Sequence, residues 1–92
     1  MSRAEAILES ERYFDDGGFF ADLARRVAIP TESQNPARGA ELLAYLEKEM
    51  RPSLERRGFR CELLTNPAAK GGPFLFAERI EDAALPTVLS YG

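Results

Sequence analysis

Histidine is absent from all 92 residues. That absence removes the commonest general base and the commonest zinc ligand together. Cysteine occurs once, at Cys61, so no disulfide can close within the chain, and a lone thiol fits a reducing compartment. No apolar run approaches the ~18 residues of a membrane-spanning helix, which leaves no expected membrane partner. There is also no basic stripe: 12 Lys and Arg are interspersed among 15 Asp and Glu, for a net charge of −3. Nucleic acid is therefore not an expected partner. The opening stretch MSRAEAILESERYF carries acids every few residues where a signal peptide carries an apolar core, so the expected location is cytoplasmic. Internal repeats and low-complexity tracts are missing too.

What remains is the composition of a folded chain: 45% apolar and 29% charged residues exclude a disordered tail. A chain of this length makes at most one small domain, and it buries roughly 60–65% of its unfolded surface, so a thin core is expected.

Ser2 and Glu5 form the two ends of a capping box, and Ala4, Ile7, Leu8, Tyr13 and Phe14 follow at near-helical spacing. A first helix is expected over about 3–14. The DDGG run at 15–18 then interrupts it, because two glycines cost roughly 1 kcal/mol each inside a helix. Either a break capped by Asp15 or Asp16, or one continuous bent helix, satisfies that stretch. Phe20, Leu23, Ala24 and Val27 recur at i, i+3, i+4 and i+7 and predict a helix over about 19–29, stopped by Pro30. Asn35-Pro36 is a helix start signal, since Asn caps and Pro suits the first helical position. The stripe Leu42, Leu43, Leu46, Met50 and Leu54 carries a long helix over about 36–57, with Pro52 expected to kink it or split off a final turn. Gly58 supplies the stop.

The period then falls to two. Phe59, Cys61 and Leu63 alternate with Arg60 and Glu62, the pattern of a half-exposed strand over about 59–64. FLFAERI reads as a more central strand over about 74–80, and TVLSY as a third over about 86–91. The expected fold class is α/β: N-terminal helices packed on a partial, mixed three-stranded sheet, spanning 1–92. Three strands leave at least one apolar edge unpaired.

No constellation of residues in this pattern can run a reaction. KGGP at 70–73 lacks the spacing of a phosphate loop and reads as a turn. TES at 31–33 has no histidine to activate a nucleophile, which leaves loop and capping chemistry. Asp15 and Asp16 read as capping and solvated carboxylates ahead of a metal pair. Cys61 reads as a small, partly buried hydrophobe, with only Arg60 nearby to favour a thiolate. Arg79 reads as an ion-pair partner for Glu81 or Asp82.

Three stretches together resemble one enzyme family. FFADLARRVAIPTESQNP (19–36) is similar to its leading helix and proline-serine loop, LLAYLEKEMRPSLERRGFRCELL (42–64) to its long helix and first strand, and FLFAERIEDAALPTVLSYG (74–92) to its next two strands. The family is the co-catalytic zinc peptidases and amidohydrolases, which include acetylornithine deacetylase, succinyl-diaminopimelate desuccinylase, aminoacylase, glutamate carboxypeptidase and dipeptidases. The resemblance implies a strand end at which a histidine and, two residues on, a bridging aspartate bind zinc. Strand ends suit such ligands because the sheet fixes the backbone below them. It further implies two zinc ions in the intact enzyme, a shared water activated for attack on an amide, and a peptide or N-acyl amino acid as substrate.

The chain stops before those ligands, so no catalytic or metal residue is carried onto positions 1–92, and substrate-binding residues remain unassigned. The expectation is an N-terminal fragment of the catalytic domain, itself inactive and free of zinc. The alternative is a stand-alone α/β interaction module that self-associates or binds a partner through exposed strand edges.

Overall fold

A computed structural model describes residues 1–68 and 72–92. The chain divides into two units, Met1–Tyr45 and Leu46–Gly92.

In the first unit, α1 (Arg3–Asp15) starts at a complete capping box. The Glu5 N–H donates to Ser2 Oγ at 3.1 Å, and the Ser2 N–H donates to Glu5 Oε2 at 2.6 Å. Each contact satisfies a donor that the helix itself leaves orphaned. Asp16 caps the other end, its N–H donating to the Arg12 carbonyl at 2.8 Å. Gly17 then takes φ +84°, a left-handed conformation that needs no Cβ, and α2 (Gly18–Val27) begins at once. The DDGG run is therefore a sharp turn between two helices, not a bend within one. Gly18 lies so close to Tyr13 that a Cβ there would stand 2.8 Å from the ring. Phe19 meets Tyr13 edge-on at 6.2 Å and Phe14 at 5.9 Å, so aromatic packing closes the hairpin.

Asn35 accepts the Ala37 N–H at 3.0 Å and starts a single 3₁₀ turn, Pro36–Arg38. Helical backbone then continues as α3 (Gly39–Ala44), a π-helical stretch (Tyr45–Met50) and α4 (Arg51–Glu55). The helix expected over 36–57 thus changes type three times along its length. Pro52 accounts for the last change. It has no N–H to donate, and in a regular α-helix its ring would meet the carbonyl four residues back, which a wider turn just upstream avoids.

In the second unit, α4 closes with a Schellman pair: Phe59 N–H donates to the Leu54 carbonyl at 3.1 Å and Gly58 N–H to Glu55 at 3.0 Å. Gly58 holds φ +85°, as that motif requires. β1 (Arg60–Leu64) follows and pairs antiparallel with β2 (Phe74–Glu78), Arg60 opposite Glu78 and Leu64 opposite Phe74. Cys61 and Leu63 share the half-buried face with Leu75 and Ala77, and α4 packs against β1.

Two features depart from the sequence-based expectation. The sheet has two strands and is purely antiparallel among the described residues, where a mixed three-stranded sheet was expected. The segment over 86–91 joins no ladder, and Val88, Leu89 and Tyr91 are 90%, 88% and 99% exposed. Strand propensity forms a strand only when the segment docks on an edge and covers a face, and this segment does neither, which leaves its apolar side chains in water. The core is also thinner than expected. Among the described residues no hydrophobic side chain is fully buried; the buried side chains are Glu49 and Ser53. Among the described residues no helix is long and apolar enough to cross a membrane.

Candidate functional site

Most polar side chains singled out from sequence are engaged in local structure. Asp15 ends α1 and Asp16 caps it. Among the described residues no group of three or more His, Cys, Asp and Glu side chains is arranged to hold a metal ion. Lys70 and Gly71 of KGGP lie outside the described residues.

The TES loop has a clearer setting. Thr31 and Glu32 line a shallow, open groove together with Leu23, Val27, Ile29 and Tyr45. Glu32 is held there by Asn35, whose side-chain amide donates to its carboxylate at 3.2 Å while the Asn35 N–H donates to its carbonyl at 3.1 Å. The carboxylate and the capping amide thus fix one another. The loop presents a carboxylate in a groove that Arg26 also lines, over the apolar side chains of Leu23, Val27 and Ile29.

Arg79 pairs with Glu81, as the sequence suggests, and it also does something the sequence did not reveal. Its Nη1 donates to the Arg57 carbonyl at 3.0 Å, and its guanidinium lies over Gly58 at the end of α4. Arg57 in turn donates to Ser53 O and Ser53 Oγ, both at 2.7 Å. Two guanidinium groups therefore cover the carbonyl end of the helix, where positive charge is stabilised by the backbone dipoles. On the sheet, Arg60 reaches Glu78 across the strands with Nε at 3.1 Å, and that carboxylate holds the guanidinium pKa above its ordinary value. Cys61 is half-buried beside it.

A further cluster was not foreseen. The Tyr13 hydroxyl donates to Asp22, and Arg25 donates to the same carboxylate at 2.9 Å. The Tyr13 hydroxyl first, and Arg25 after it, hold the Asp22 carboxyl below its ordinary pKa. Tyr13 counted in the sequence only as an apolar-stripe residue. Its pairing with Asp22 depends on the sharp turn at Gly17, which propensity alone leaves undecided.

None of these groups forms a nucleophile with its base, or an anion hole facing a cleft. The described arrangement is structural: caps, clasps and shallow, open grooves. No protein-family model, curated protein or solved structure matches the chain.

Proposed function

We propose that the chain is a non-catalytic scaffold segment of a zinc-dependent peptidase or amidohydrolase, the 92 residues themselves binding no zinc and turning over no substrate. The burial pattern carries this reading. Described hydrophobic side chains remain at least partly exposed, and Val88, Leu89 and Tyr91 stand in an unpaired run. Such a run is stabilised by joining a larger sheet, which removes its apolar surface from water and satisfies its backbone. The resemblance of the three stretches supplies that sheet, because the matching run in the family is a strand of the catalytic domain. In the intact enzyme two zinc ions would activate a water toward the amide of a peptide or N-acyl amino acid.

Two measurements test the reading. Zinc titration and hydrolysis assays on N-acetyl amino acids and dipeptides should give no stoichiometric binding and no turnover; either one overturns the inactive-scaffold assignment. Coding DNA read past Gly92 should carry an in-frame His-x-Asp, and any other continuation overturns the zinc-hydrolase assignment.

The sheet favours a second reading. Among the described residues no strand pairs with either outer edge of the sheet, which suits an interaction module that pairs with another copy or a partner. A stable monomer with protected strand amides in solution would argue against it.

A further inference from the structure

We infer that the outer edge of β1 is a homodimer contact, in which β1 pairs antiparallel with β1 of a second copy about a two-fold axis through Cys61. The inference rests on the interaction-module reading and gives it a register.

β1 hydrogen-bonds to β2 on one side, and among the described residues no other strand lies on its far side. A two-stranded sheet is marginal in water, whereas joining two copies along β1 makes a continuous sheet of four strands. The register follows from the side chains. Opposed residues in an antiparallel pair share a face, so the axis must pass through a residue and not between two.

With the axis at Cys61, Arg60 of each copy falls opposite Glu62 of the other, and Phe59, the residue just before β1, falls opposite Leu63. Opposite charges meet twice on the exposed face and apolar groups meet twice on the half-buried one. Each Arg60, already bonded to Glu78 and 3.9 Å from its own Glu62, would lie between Glu78 and the second copy's Glu62. An axis at Glu62 opposes two carboxylates, and one at Leu63 sets Glu62 against Leu64. The outer edge of β2 is less suited. Pro73 removes a ladder donor at its start, and an axis at Phe76 sets Phe74 against Glu78.

Sedimentation equilibrium on the full chain should show a concentration-dependent monomer–dimer exchange. Glu62→Arg keeps Glu78 as the partner of Arg60 within each copy, removes the looser 3.9 Å contact between Arg60 and its own Glu62, and opposes two like charges across the axis twice. It should raise the dimer Kd by roughly tenfold or more. Adding Arg60→Glu and Glu78→Arg to Glu62→Arg reverses the whole charge set, keeps opposite signs at 60 and 78 within each copy, and should recover part of the loss, with circular dichroism reporting whether each variant keeps its fold. A short bis-maleimide should link wild-type copies through Cys61, which the axis brings face to face, and should not link Cys61→Ser. A dimer that ignores Glu62→Arg and resists linkage overturns the register while leaving self-association standing. A monomer at every concentration overturns both.

Discussion

Gly17 and Gly58 hold nearly the same left-handed backbone, at φ +84° and +85°, and each ends a helix. Substituting Gly58 with alanine should cost about 1–2 kcal/mol, the steric penalty of placing a Cβ in that conformation. Urea denaturation followed by circular dichroism measures it. Tyr13 and Asp22 tie α1 to α2 in a different way, through a carboxylate whose pKa is lowered on folding. A depressed folded pKa contributes stability that is fully present above the unfolded value of about 4 and is lost as pH falls through the folded value. Helicity should therefore decline on the acid side of about pH 4. In Tyr13→Phe, which removes the larger cause, the decline should move up toward that pH. A far-ultraviolet titration of both proteins checks the shift, and identical acid limbs would refute it. Both glycines were legible in sequence as punctuation. The Tyr13–Asp22 bond was not, because it joins residues nine apart across a turn whose handedness only the backbone reveals.

The helical run after Asn35 shows what sequence can and cannot specify within an element. Asn35, Pro36 and Gly58 mark its ends by local chemistry, and local chemistry is what a sequence displays best. Pro52 marks an interruption, but the leucine stripe does not disclose that the backbone answers by widening over Tyr45–Met50. Pro52→Ala restores a donor for the Lys48 carbonyl, and α-helical bonding should then extend back through that stretch. Nuclear Overhauser contacts between residues four apart should replace those five apart; persistence of the wide turn would assign it to some other cause. The strand over 86–91 fails for the opposite reason. Its residues favour a sheet, but strand formation depends on a neighbouring edge, which lies outside the segment itself. The clasp of Arg79 on the Arg57 carbonyl was equally hidden, since it spans 22 residues and leaves no periodicity.

At the scale of the whole molecule, charge and helix-sheet composition were legible, while the distribution of burial was not. Alternating and helical stripes identify which faces are apolar, but they do not say that a covering surface exists for each. Phe20, Val27, Ile80 and Val88 lie on such faces and stay 72–90% exposed. One of these surfaces also bears on solubility. After Asp82 the chain runs ten residues to Gly92 without a charge, and TVLSY within it is β-prone and uninterrupted. Uncharged, strand-forming windows held in water are templates for cross-β stacking, and a flanking proline restrains them. Pro86 occupies that flank. Pro86→Thr should shorten the lag before thioflavin-positive fibres appear, and Leu89→Lys should lengthen it. The exposed run thus sets a colloidal limit on the concentration at which the chain can be kept in solution, with Pro86 as its local brake.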